Sequence, residues 1–453
     1  MEQRRPHTDR LRLNWFSPLP PAETDIAHYT ARLLPYLAEH AELTLWTTQS
    51  DWDPMLATHA AIRHYDADNV PWPDLNRAAL TVYHLGNNPR FHAPIWQVSR
   101  RHPGLVVLHD PCMQEFFLGA YRDVWNDRQG YVTHMEYYYG AAGRRSADDL
   151  WEDRCSVYDL IEQYPLTHLA CESALAVLVH SRAAFEALQP GANQPLVFAP
   201  LPYPATPRAS QRGRNLSTAP LGSPYQLVVF GYLTRNRGLE ALLLALAQFS
   251  ARDRFRLDVY GPLWDTAYVS QRIRELQLDR QVTLHGYTPP AAFDRALEGA
   301  HLAVNLRFPT MGEASGSELR IWDHALPSVV TRAGWYATIP DDAVAFVHPG
   351  REVEDIQVHL REFIADPARF VRMGERGRLL LEEHHQPAAY VRAILESGVY
   401  AQHYGHYVLG YALAERAAGE MALWLPPRAA PAAHARVAAA IRDLTTGRTA
   451  CGS

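Results

Sequence analysis

Short apolar runs alternate with helix-patterned segments along this chain, in two successive series, and nothing else in the sequence restricts the fold as strongly. In the first series the runs lie at 11–17 (LRLNWFS), 42–47, 60–65, 79–85, 104–109, 174–180 and 196–201. Thr24 and Asp25 are placed to cap a helix that carries Pro35 inside it, and a second helical segment spans 92–101. The second series has runs at 225–232, 256–260, 281–285, 301–306, 328–331 and 343–347, and a segment from Leu239 to Phe249 that is apolar nearly all round. Such βα repeats build parallel sheets covered by helices, with ligands beyond the carboxyl ends of the strands. At 453 residues the chain exceeds one ordinary core. An α/β chain of two Rossmann-like domains facing a cleft is expected. The first spans 1–204, with a helical insertion at about 112–173. A linker rich in Ser, Arg, Pro and Gly follows at 205–224, then the second domain at 225–385. Helices at 386–453 are placed to cross back to the first domain.

One stretch has the form of a ligand site. Residues 305–327 read NLRFPTMGEASGSELRIWDHALP: the end of a buried strand, a Gly/Ser loop, then a helix. A helix N-terminus behind a small-residue loop offers free N–H groups and a positive dipole end to an anion. A carboxylate in that loop, Glu313, would repel a phosphate and suits sugar hydroxyls. An ordinary βα turn has the same outline.

Composition narrows the chemistry. All 43 basic residues are arginine. Without lysine there is no Schiff base, no pyridoxal enzyme and no lysine-tipped P-loop, so any phosphate must be held by arginine, amides and helix dipoles. The net charge of −6 gives no basic field for nucleic acid. Four cysteines, Cys112, Cys155, Cys171 and Cys451, lack CxxC spacing, which points to a reducing, cytoplasmic location. The charged N-terminus lacks the apolar segment of a signal peptide, and no run is long enough to span a membrane. Peripheral membrane contact stays open.

Four blocks together resemble the GT-B-fold retaining glycosyltransferases of family 4, the "glycosyl transferases group 1". They are SPLPPAETDIAHYT at 17–30, YHLGNNPRFHAPIW at 83–96 with GLVVLHD at 104–110, FGYLTRNRGLE at 230–240, and the 305–327 stretch. The resemblance covers most of residues 11–400. It implies a nucleoside-diphosphate-sugar donor held mainly by the second domain, an acceptor held mainly by the first, and neither metal nor cofactor.

It also implies roles for particular residues. Glu313 matches the first glutamate of the family's E-x7-E signature, which contacts donor-sugar hydroxyls. Ala314, Ser315, Gly316 and Ser317 match the loop that meets the diphosphate, although Ser315 or Ser317 could equally be a helix cap. The second glutamate is absent: its position is Ile321, with Glu318 one turn earlier and Arg320 beside it. Arg237, in the turn with Thr234, matches the family's diphosphate-binding lysine. The arginine that usually precedes it is Tyr232 here, leaving Arg235 as a substitute. Gly286, Tyr287 and Thr288 match the loop near the nucleobase. His109 matches the histidine beside the sugar's reactive face, with Asp110 as a supporting or turn-capping group. Thr24, Asp25, Asn87 and Asn88 fall on the acceptor side, as ligand contacts or as caps. The acceptor class stays open among glycan, lipid-linked glycan, protein and small molecule. A non-catalytic nucleotide-sugar-binding subunit and a sugar-nucleotide epimerase are the rival functions.

Overall fold

The computed structural model describes residues 10–192, 194–206, 224–424 and 439. Most of the expected linker, the charged N-terminus and the Ala-rich tail with its prolines 426, 427 and 431 lie outside the described residues. Seven parallel strands form the first sheet: β1 (Leu11–Phe16), β2 (Ala41–Thr47), β3 (Ala61–His64), β4 (Leu80–Leu85), β5 (Leu105–Leu108), β6 (Ala176–Val179) and β7 (Leu196–Phe198). Their order is β3-β2-β1-β4-β5-β6-β7. The second sheet has β8 (Tyr225–Phe230), β9 (Phe255–Tyr260), β10 (Val282–Gly286), β11 (Leu302–Asn305), β12 (Ser328–Thr331) and β13 (Ala345–Val347), in the order β10-β9-β8-β11-β12-β13. Each apolar run read from the sequence is one of these strands. The strand order reverses between β1 and β4 in one sheet and between β8 and β11 in the other. These are the crevices where open α/β sheets take ligands.

Helices cover both faces of the central strands, so β4, β5, β6, β11 and β12 are buried along their whole length. The helix Leu239–Gln248 owes its all-round apolarity to the same sandwiching, packing also on the helix Glu352–Ala365. Between β5 and β6 the chain is helical, dominated by Arg128–Trp151, which breaks at Gly140.

The helix Pro387–Trp424 crosses back to pack on β5, β6 and the helix Asp25–Ala38. One apolar cluster therefore runs without interruption from Trp15 and Leu178 through Tyr390 and Ile394 to Trp322, Trp335 and Tyr336. Polar ties follow the same path. Tyr203 N donates to His385 O at 2.8 Å, and Thr206 N donates to Asp323 Oδ1 at 2.8 Å.

Candidate active site

The carboxyl ends of β1, β4 and β5 face those of β8 and β11 across a cleft with two lobes. The smaller, about 500 Å³, is lined by Asn87, His109, Asp110, Glu115, Thr234, Arg237, Arg307 and the loop from Glu313 to Ser317. The larger, about 1050 Å³, is lined by Tyr260, Tyr287, Thr288, Phe293, Asp294 and Arg320. Thr24, Asp25, Arg32, Tyr203, Tyr232, Gly316 and Ser317 line both.

The loop after β11 begins the site. Asn305 Nδ2 donates to Ser315 Oγ at 3.3 Å and to Glu318 Oε2 at 2.8 Å. Ser315 then caps the helix Gly316–Asp323, its hydroxyl accepting from Glu318 N at 3.1 Å. The capping role and a cleft-facing loop coexist, since Ser315, Gly316 and Ser317 all line the smaller lobe. Glu313 is only 7% exposed. Its carboxylate is held by an ion pair with Arg307 Nη1 and by Met311 N, which donates to Oε2 at 2.7 Å. The loop also touches the first domain: Cys112 N donates to Met311 O at 2.8 Å. Gly312 has φ 82°, and a Cβ there would lie 3.1 Å from Pro111.

Arg237 is 5% exposed. Nη2 donates to Phe230 O at 3.0 Å, while Nη1 is buried with no partner. Burial lowers its pKa to about 10, with the Arg307 charge adding to the effect, so it is still a cation at neutral pH. A buried cation without a carboxylate mate is costly unless something else supplies the negative charge.

Histidines floor the first-domain side. His109 Nε2 lies 3.0 Å from His84 Nδ1, and the rings of His109 and His180 are 5.0 Å apart. Burial, reinforced by these neighbouring rings, holds His109 well below the usual imidazole range, so it is neutral at pH 7. Next to it, Asp110 Oδ2 accepts from Asn87 N at 2.8 Å. Burial and the nearby Glu313 charge raise Asp110 to about 7.

The remaining expected residues divide. Thr24 caps the helix Asp25–Ala38 and still faces both lobes; Asn88 caps the helix Pro89–Arg101 and still faces the smaller one. Asn87 accepts from Phe116 N at 3.1 Å, but its Nδ2 is buried and unpaired. Tyr287 is 68% exposed at the larger lobe, which excludes core packing for its ring. Three expectations need correction. Glu318 is fully buried, its carboxylate accepting from Asn305 and from Ser328 Oγ at 2.5 Å, so it faces the sheet and lines neither lobe. Arg235 is exposed on the outer side of its turn, and Gly286 turns its carbonyl to Gly261 N at 2.7 Å; neither lines the cleft. Ile321 is buried among Phe230, Phe293 and Leu326 and lines neither lobe. Beyond Gly316 and Ser317, this helix turns Arg320 and Asp323 toward the larger lobe, where Arg320 pairs with Asp294 at 2.7 Å.

Sequence reasoning passed over Arg307. Its signal was an arginine two residues past the buried strand β11, at a strand end where ligands sit.

No family model matches the chain, and no curated protein matches it. Solved structures do. HepE from Anabaena, determined with UDP and glucose, shares 13% identity over 86% of this chain and 99% of that one, with a TM-score of 0.58. Sucrose-phosphate synthase from Thermosynechococcus elongatus shares 16% identity over 87% and 100%, with a TM-score of 0.56. A glycosyltransferase from Rickettsia africae shares 12% identity over 87% and 99%, with a TM-score of 0.58. At such identities the likeness establishes the two-domain GT-B architecture.

Proposed function

We propose that the protein is a retaining glycosyltransferase of the family 4 kind, working in the cytosol. It takes a nucleoside-diphosphate sugar and passes the sugar to an acceptor hydroxyl without a metal ion. The observation that carries this is Arg237: a buried cation with an unpaired nitrogen, in the same lobe as the capped N-terminus of the helix Gly316–Asp323. That pairing suits a diphosphate better than any neutral ligand. HepE, with the same architecture, was solved with UDP and with UDP-glucose.

In this mechanism the base and ribose occupy the larger lobe beside Tyr287 and Thr288. The diphosphate lies between Arg237 and the amides of Ser315, Gly316 and Ser317. Glu313, held in place by Arg307 and Met311 N–H, accepts hydrogen bonds from sugar hydroxyls. As the bond to the diphosphate lengthens, negative charge grows on the leaving oxygen and is met by Arg237 and the helix dipole, while the sugar gains oxocarbenium character. Preorganised stabilisation of that charge is the main catalytic term. The acceptor enters from the side of Thr24, Asp25, Asn87 and Asn88. It attacks on the face that the diphosphate leaves, and its proton passes to the leaving phosphate oxygen. Neutral His109 hydrogen-bonds the sugar and is not the base.

Thermal denaturation of purified protein against UDP-, GDP- and dTDP-sugars tests the donor, because a ligand that binds only the folded state raises the midpoint. One sugar nucleotide should stabilise the protein, and turnover with an acceptor should be unaffected by EDTA. A panel with no stabilising member would defeat the proposal. An epimer formed from donor alone would favour the epimerase.

A further inference from the structure

The turn that carries Arg237 and the loop that carries Arg307 are fastened to each other. Asn236 Nδ2 donates to Pro309 O at 3.1 Å, and Phe308 N donates to Asn236 O at 2.8 Å. Gly238, at φ 64°, sits so close to Leu306 that a Cβ would lie 2.9 Å from that side chain. Arg307 is anchored in turn to the second sheet, its N donating to Thr331 Oγ1 at 3.0 Å. The two arginines are thus set in a fixed relation, and both line the smaller lobe.

Each also has unspent hydrogen-bonding capacity. Arg237 Nη1 and Arg307 Nε are both buried with no partner. Among the ion pairs of the described residues, Glu313 is the carboxylate that answers Arg307, and Arg237 has none. The other carboxylates that line this lobe, Glu23, Asp25, Asp110 and Glu115, form no ion pair with either guanidinium among the described residues. Arg235, the substitute that the sequence offered, is exposed and outside the cleft.

From this geometry we infer that Arg307 is the second cation of the diphosphate subsite, sharing the leaving phosphate with Arg237 in the place of Arg235. The inference rests on the donor proposed above. Arg307 has two tasks in it: Nη1 holds Glu313 toward the sugar, and the rest of the fork faces the phosphate. A guanidinium can do both because its donors point in several fixed directions, which an ammonium group cannot match.

The test measures binding rather than turnover. Calorimetry on the full chain would compare UDP, GDP and dTDP, each against its own monophosphate, for wild type, Arg307→Gln and Glu313→Gln. Wild type should prefer one diphosphate over its monophosphate. Arg307→Gln should reduce that preference roughly tenfold or more, the size of a lost charge-assisted hydrogen bond. Glu313→Gln should leave the preference intact. An undiminished preference in Arg307→Gln would overturn the inference, as would an equal loss in Glu313→Gln, since Arg307 would then act only through the carboxylate. If the Gln variant does not fold, Arg307→Lys takes its place, with a several-fold loss expected and no loss counting against. Failure of wild type to bind any of the diphosphates would instead remove the donor reading, and this inference with it.

Discussion

Arg237 shows how a single residue can set stability against activity. Its guanidinium is buried with one nitrogen unpaired, so the folded protein pays for a charge that only a ligand answers. Arg237→Met keeps the stem and removes the charge. The expected outcome is an unchanged or higher thermal midpoint without ligand, together with a roughly 10²–10³-fold drop in kcat, the scale found when one preorganised transition-state donor is removed. Steady-state kinetics and a melting curve on the same preparation check both halves. Asp110 makes a prediction in pH. Its carboxyl is raised to about 7 from an ordinary 3.8, so the fold favours the protonated form. Between those values the folded chain binds more protons than the unfolded one, and stability from this group falls as pH rises. Asp110→Asn, which can still accept from Asn87 N, should therefore gain stability relative to wild type as urea denaturation moves from pH 5 to pH 7.5. A difference that shrinks over that range would contradict this assignment.

At the scale of elements, the junction of the Arg237 turn with the strand β11 loop is a close approach beside the site. Gly238→Ala forces a positive φ on a side-chain residue and drives its Cβ into Leu306, so at least about 1 kcal/mol should be lost, with turnover falling further than stability alone explains. Urea titration alongside kinetics separates the two. Ser315→Ala removes a helix cap and should cost about 1 kcal/mol in the same titration. Elements were also the most legible level of the sequence. The strands are short, apolar and bounded by turn residues, so their positions follow from local pattern alone. Glu313, Ser315 and Arg237 were singled out by the resemblance of their loops to those of a known family, and all three line the smaller lobe. The inward place of Glu318 was not legible, because its direction depends on the phase of a helix starting at Gly316. That phase turns Ser317 and Arg320 to the cleft and Glu318 and Ile321 inward, where Asn305 and Ser328 from two other elements receive the carboxylate. Arg307 and Arg235 look alike in sequence. Only the path of the backbone, fixed by Asn236 and Thr331, brings one into the cleft and leaves the other outside.

Across the whole molecule the two domains share one apolar cluster, closed by the returning C-terminal helix, and buried histidines lie along it. His92, His180 and His385 are lowered by burial to about 4, and His84 and His109 also lie well below the ordinary 6.5. Their folded pKa values are below the unfolded ones. The stability they contribute is complete above 6.5 and is lost as pH falls toward about 4, where unfolding lets them charge. The denaturation midpoint should drop steeply across that window, and His180→Gln should make the drop shallower. Tyr29 and Tyr390 join the returning helix to the cleft-lining helix Asp25–Ala38 through a 2.7 Å hydrogen bond. Under the proposed function, the purpose of this architecture is to hold an activated sugar between Arg237 and Glu313. The most direct measurement of that claim is nucleoside-diphosphate release from the stabilising sugar nucleotide, with an acceptor present, by wild type and Arg237→Met. Release by wild type, reduced at least about a hundredfold in the folded variant, is the predicted result. Equal rates in the two proteins would contradict it.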